Sequence, residues 1–391
     1  MLESLVRPFM QSRQDSLEQA LHGLERTGTP LVSELPDGQL APAGFTDDVG
    51  IYWFIPALAR WLDIPVDQAQ VVFFWGLMVS ALVVGLIATW RLFRSWPERL
   101  VATIALGLLA TYGLFIWDVY VISAIAPLLL IPAFLAFLDG GKVSRWHAGF
   151  FFLAGLLMAS SNLIRSHSGT VVLIFMVVAL GSVPTLALKT RVAFALFLVA
   201  GLAVIQLVFT GLIANRDAYL VAHQPGYLPV EDVHPIWHNL YIGFGYLAPP
   251  FNPFGITYSD TVADQAARSV NPDVDYVSAE YEAILKQQVF EILRTEPRFF
   301  FDTIFAKLGI VFFFLLKFAN LGLVAKLITR LPAWQEWAFW AAMAFGALPG
   351  LLVIPTPHYL LSFLALATLY GLSSINAALA KGWLGLVRAR A

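Results

Sequence analysis

Two adjacent carboxylates, Asp47 and Asp48, lie in Gly44-Phe45-Thr46-Asp47-Asp48-Val49-Gly50-Ile51-Tyr52, just ahead of a chain that is otherwise mostly apolar. A carboxylate close to lipid can accept the proton of an acceptor hydroxyl, or hold a divalent cation (Mg or Mn) against a phosphate. Both roles suit transfer of a sugar from a lipid phosphate. A plainer role is open beside them: Asp47 as the N-cap of a helix beginning near Val49, with Asp48 favoured by the positive end of its dipole. The neighbouring residues favour chemistry. Residues 50–62, from Gly50 to Leu62, form a short aromatic amphipathic segment suited to the bilayer interface, which would hold the acids at headgroup level.

The elements that must position these residues follow from composition. Of the 391 residues 59% are apolar and only 13% charged, and mean hydropathy is +0.73. Several apolar runs reach the roughly 20 residues that a helix needs to cross a bilayer. This predicts an all-α polytopic membrane protein. The net charge of −2 and the lack of any basic tract argue against a nucleic-acid partner. Cysteine is absent, which excludes disulfides, thiolate metal sites and cysteine nucleophiles.

Nine spans are expected, at roughly 69–90, 100–117, 119–138, 147–164, 169–188, 192–213, 303–325, 335–354 and 358–378. At Asp118 two apolar runs meet with almost no connection, so a tight helical hairpin is expected there. Four regions result: an external segment 1–68 with the acidic pair, a six-span bundle 69–213, a large external loop 214–302, and a three-span bundle with a cytoplasmic tail at 303–391.

Alternate connections collect Arg91, Arg94 and Arg99; Lys142 and Arg145; Lys189 and Arg191; Lys326 and Arg330; and Lys381, Arg388 and Arg390. These are twelve of the 24 basic residues, while the intervening short connections carry only Arg165. Basic residues near span ends resist translocation, so this bias places the C-terminus inside and both 1–68 and 214–302 outside. An external N-terminal segment with no preceding helix predicts that a first transmembrane helix is encoded upstream or has been lost. In this topology Asp47, Asp48, Asp118, Arg165, His167 and His358 share the outer face with the 214–302 segment. Six of the seven histidines lie there, and only His147 lies inside. Titratable groups near membrane depth are costly unless paired or working, so their convergence suggests a site.

With the acidic pair, the Gly50–Leu62 segment and this topology, the chain resembles the GT-C superfamily of integral membrane glycosyltransferases. The branch it resembles contains the protein O-mannosyltransferases and the lipid A aminoarabinose transferases. There a first helix leads to an external loop with an acidic pair, followed by interfacial helices and a multi-span bundle. Asp47, Asp48 and the Gly50–Leu62 segment match that loop, and the first helix is the departure. With one helix restored, 214–302 falls between spans seven and eight, where the branch places a large external loop. Pro355-Thr356-Pro357-His358-Tyr359 tops the last span, where some members carry an Arg-Tyr pair contacting the lipid carrier; His358 replaces the Arg.

Further candidates surround the pair. In His234-Pro235-Ile236-Trp237-His238-Asn239-Leu240-Tyr241, a helix would put His234 and His238 on one face, able to ligate metal or bind phosphate, with Trp237 and Tyr241 near to stack on a sugar ring. No third ligand has a recognisable spacing, so hydrogen bonds from these histidines and Asn239 to an acceptor or phosphate are the stronger reading, beside a simply packed loop. Glu280, Glu282, Lys286, Glu291 and Arg294 read as solvated charges on a scaffold helix within 276–298. Lys307, about one turn inside the outer interface, is placed to neutralise a carrier phosphate, with Arg165 and His167 as a second cationic contact. Arg165 serves equally as an interfacial anchor. Lys317 lies deeper, to snorkel, pair with a carboxylate or face a cavity.

The expected function is a glycosyltransferase of a bacterial inner membrane, moving a sugar from a polyprenyl-phosphate donor to a glycan, lipid or protein acceptor on the periplasmic side. Asp47 or Asp48 would be the base. The alternatives are a transporter or flippase for a lipid-linked saccharide, against which no internal repeat is evident, and an inactive scaffold of envelope assembly.

Overall fold

The computed structural model describes residues 10, 13–44, 48–139, 144–229 and 234–380; Asp47, Lys142 and the basic residues of the C-terminal tail lie outside them. The chain is helical almost throughout, because apolar segments withdrawn from water have no partner for their backbone polar groups except the helix itself. The helices are α1 Gln14–Thr27, α2 Ile51–Leu62, α3 Val66–Leu92, α4 Trp96–Leu114, α5 Ile122–Asp139, α6 Arg145–Ile164, α7 Ser168–Ser182 and α8 Leu188–His223. They continue as α9 Ile236–Gly243, α10 Asp260–Arg268, α11 Ala279–Thr295, α12 Pro297–Ala319, α13 Leu321–Ile328, α14 Ala333–Leu352 and α15 Pro357–Ala380. Between α1 and α2 lies a small antiparallel hairpin of β1 Val32–Glu34 and β2 Leu40–Pro42, with Ser33 opposite Ala41.

Among the described residues six segments are long and apolar enough to cross a membrane: Val66–Leu92, Val119–Asp139, Trp146–Ile164, Leu188–His223, Pro297–Ala319 and Pro357–Ala380. The protein is therefore an all-α membrane protein, with six such helices where nine spans were expected. Helices do occupy the other three places. α7 has only 15 residues. α4 and α14 begin with polar residues, Glu98 and Arg99 in one and Gln335 and Glu336 in the other, which dilute their apolarity. The run 303–325 is also not one helix: α12 stops at Ala319, Asn320 turns the backbone at φ 40°, and α13 follows. Lys317 thus sits exposed in the last turn of α12, where a cation complements the negative end of the helix dipole.

The chain divides into two compact units. The first comprises Met1–Pro229, Phe318–Phe345 and Leu361–Ala391. Its centre is α5, apolar all round and buried on nearly every side, as a helix enclosed by others must be. α3, α4, α6 and α7 pack against it. The expected hairpin at Asp118 is present: α4 ends at Leu114, and the Asp118 carboxylate caps a single 3-10 turn, Val119–Val121, that leads into α5. α6 and α8 cross at paired glycines. A Cβ on Gly155 would lie 2.2 Å from the Leu198 carbonyl, and one on Gly201 would lie 2.1 Å from that of Phe152, so only glycine lets these backbones approach. α1 and the hairpin form a small polar cap, and Val32 and Leu40 pack with Leu220 near the C-terminal end of α8.

The second unit comprises Val230–Lys317 and Gly346–Leu360. Its core gathers Tyr241, Phe244, Tyr281, Leu285, Phe299 and Val353. The helical reading of 276–298 corresponds to α11 and the first residues of α12, separated at Glu296.

The glycine crossing gives a paired test. Gly201→Ala should cost of order 1–3 kcal/mol of stability, because the added methyl meets main chain that cannot rotate aside. Gly211→Ala, on the same helix with open space around it, should stay within about 1 kcal/mol of the parent. Thermal unfolding of both variants in detergent micelles measures the contrast; equal losses would reject the close packing of α6 on α8.

Candidate functional site

Asp48 is buried at 1% exposure and is not a helix cap. α2 begins only at Ile51, with Gly50 as its N-cap, so Asp48 precedes the helix by three positions, and Asp47, the residue expected to cap it, lies outside the described residues. It forms an ion pair through Oδ2 with Nη1 of Arg13, the residue just before α1. Two glycines set the loop that carries it. Gly44 adopts φ 97°, and a Cβ there would strike the Tyr52 ring at 2.8 Å. Gly50 donates its N–H to the Leu163 carbonyl at 2.8 Å, and a Cβ would collide with that peptide. The loop is therefore pinned on the C-terminal end of α6, two residues before Arg165.

Arg13 is placed just as firmly, because the nearby Met10 N–H donates to the Trp117 carbonyl at 2.9 Å, beside Asp118. Burial opposes the charge of Arg13, but Asp48, then Tyr52 and Asp118, outweigh it and raise the guanidinium's pKa. The Tyr52 hydroxyl lies buried against this pair without a well-formed hydrogen bond. Burial first, then the negative charge of Asp48, pushes its phenol up to about 12. Asp118, expected to meet acceptor or sugar, uses its Oδ1 to accept the Val119 N–H at 2.5 Å.

Tyr120, in the turn that Asp118 caps, lies under the Arg165 guanidinium, 4.5 Å from ring centre to Cζ. Arg165 ends α6 and His167 precedes α7 at φ 71°, exposed, with its ring edge against Phe345. Asn162 fixes this turn: its Oδ1 accepts the N–H groups of Gly169 at 2.8 Å and Thr170 at 3.0 Å, which caps α7. The first unit thus brings Asp48, Asp118, Arg165 and His167 to one end of its bundle, together with Arg13, Tyr52 and Tyr120. Arg13 had no signal beyond being a cation in a polar N-terminal stretch. Asp47 lies outside the described residues. A divalent ion fits Asp48 poorly, because a guanidinium already neutralises it. Among the described residues no three His, Cys, Asp or Glu side chains are grouped to hold a metal.

In the second unit the histidines separate. α9 starts at Ile236 with Pro235 as its N-cap, so His234 is outside the helix and exposed, and the expected shared face with His238 does not exist. His238 is buried at 4% exposure, with Nδ1 2.8 Å from the Tyr281 hydroxyl and Nε2 3.1 Å from Asp260 Oδ1. That contact, outweighing partial burial, holds the Asp260 pKa below its ordinary value. Burial pushes the phenols of Tyr276, to about 12, and of Tyr281 upward, so this cluster braces α9 against α11 and offers no ready phenolate. Glu282, expected as a solvated charge, is buried and accepts the Trp237 N–H at 2.7 Å and the His238 N–H at 3.0 Å, capping α9 from a distance. Trp237 packs on Phe290 under Lys286, Tyr241 is in the core, and the Asn239 N–H donates to the Pro235 carbonyl.

Lys307 is enclosed at 1% exposure, in place of the open position expected for a phosphate contact. Its ammonium donates to the carbonyls of Leu351 at 3.0 Å and Leu352 at 3.4 Å, the last of α14, so it caps that helix. His358 is exposed in the first turn of α15, and the Tyr359 hydroxyl bonds that of Tyr258 at 2.9 Å.

No family model matches the chain, and neither a curated protein nor a solved structure matches it.

The Tyr52 geometry sets a pH dependence. Its folded pKa of about 12 stands above the ordinary 10.0, so its contribution to stability is complete below pH 10 and is lost as pH rises through about 12, where only the unfolded phenol has already ionised. An ultraviolet titration of phenolate should lose one late-titrating group in Tyr52→Phe. An unchanged titration curve would remove Tyr52 from the buried cluster.

Proposed function

We propose that the chain is a membrane glycosyltransferase that moves a sugar from a polyprenyl-phosphate donor to an acceptor hydroxyl, at the end of the first unit that carries Asp48. One observation supports the reading above others: a buried carboxylate is held by a guanidinium at the end of an apolar bundle that also carries a second cation, Arg165, on the Tyr120 ring. The GT-C resemblance of the acidic loop agrees with it. The face is read as extracytoplasmic from the basic residues that gather at the opposite helix ends.

In this mechanism the acceptor oxygen attacks the anomeric carbon while its proton passes to Asp48. The bond from that carbon to the carrier phosphate oxygen breaks, its electron pair stays on the phosphate, and the anomeric configuration inverts. Arg13 holds and orients Asp48, and proton transfer accompanies departure of the phosphate, when the attacking hydroxyl is most acidic. Arg165, on its Tyr120 platform, would offset the charge that develops on the leaving phosphate.

Asp48→Asn should lower transfer about 10²- to 10⁴-fold, the usual range for loss of a general base. The assay is turnover of radiolabelled polyprenyl-phosphate sugars by purified full-length chain, with melting temperature recorded for each variant. Arg165→Gln should weaken turnover without abolishing it. Full activity in a folded Asp48→Asn variant would overturn the assignment. Movement of intact donor between leaflets without bond cleavage would replace the enzyme by a transporter.

A further inference from the structure

At the far end of α5 and α7 from Asp48, the first unit contains a pocket that the proposed chemistry does not use. It opens where α3 and α5 end, α14 begins and α15 makes its later turns, and its volume is about 300 Å³. That is the lower end of the range for small-molecule sites, roughly 300–1,000 Å³, and suits a single compact headgroup.

Its wall has two characters. Leu92, Leu135, Leu369 and Leu372 supply an apolar side, while Asp139, Thr185, Gln335, Ser373 and Asn376 supply polar groups, with the indole of Trp334 in the same lining. Among the described residues that line it, Asp139 alone carries a formal charge. A lone carboxylate repels phosphate and carboxylate groups, so an anionic headgroup is disfavoured. Neighbouring hydroxyls are what this set can satisfy: they donate to the Asp139 oxygens, accept from the amides of Gln335 and Asn376, and exchange with the hydroxyls of Thr185 and Ser373. The indole offers a flat apolar surface for the carbon face of a ring.

The site lies where two apolar segments, Val66–Leu92 and Val119–Asp139, terminate, which is headgroup depth.

We propose that this pocket binds the uncharged, hydroxyl-rich headgroup of a membrane glycolipid. The assignment does not depend on transfer at Asp48. The full chain in phosphatidylcholine nanodiscs is labelled with a photoreactive alkyl glucoside, and competed separately with an alkyl phosphate of equal chain length and with free glucose. Saturable labelling of peptides 331–335 and 369–377 is expected, resistant to both competitors. Asp139→Leu and Gln335→Leu should each reduce it about tenfold; Asp139 is exposed at the end of α5, so that variant keeps the fold. Equal displacement by alkyl phosphate, displacement by free glucose, labelling elsewhere, or labelling indifferent to both substitutions would each overturn the proposal.

Discussion

A carboxylate almost sealed from solvent has to be matched by positive charge, and the pairing of Asp48 with Arg13 imposes that requirement on four pieces of chain at once. Removing two ions from water costs several kcal/mol each before their attraction offsets it, so such a pair is a poor source of stability and a strict arbiter of position. The start of α1 must reach the turn at Trp117, the loop must bend at Gly44, Gly50 must sit flush on Leu163, and the ring of Tyr52 must fill the remaining space. None of these contacts is large. Together they bring a polar N-terminal segment, a short aromatic helix and the ends of two bundle helices into one cluster.

The two units use buried charge differently. In the first, opposite charges meet side chain to side chain, and Arg165 rests on an aromatic face. In the second, Glu282 and Lys307 are matched with main chain, the acid on the N–H groups that open α9 and the amine on the carbonyls that close α14. Each terminal charge sits at the helix end of opposite polarity. These two residues hold helices in place, whereas the Asp48 cluster joins side chains from separate parts of the chain.

Much of this was legible from residue order. Apolar length located a helix at every expected place, and Asp118 marked a true turn. What hydropathy could not register was a break made by one backbone torsion, as at Asn320, or a helix such as α7 that is apolar but short. The start of α2 at Ile51, two residues later than expected, set Asp48 free of the helix proper, and a similar shift at Pro235 separated His234 from His238. Lys307 was expected to meet a carrier phosphate, but it meets a pair of carbonyls 44 and 45 positions away in the chain, which no side-chain pattern announces. Arg13 was missed because an arginine in a polar stretch is unremarkable until folding delivers it to an acid.

α8 has 36 residues and so extends about 54 Å, well beyond a hydrocarbon layer of about 30 Å. Its final turns, carrying Arg216, Asp217 and Leu220, rise from the apolar part as an uninterrupted rod against which the β-hairpin is packed. The surplus turns act as a post: the hairpin leans on them through Leu220 and α1 leans on the hairpin, so the polar N-terminal segment is moored to a bundle helix at a second point besides Arg13.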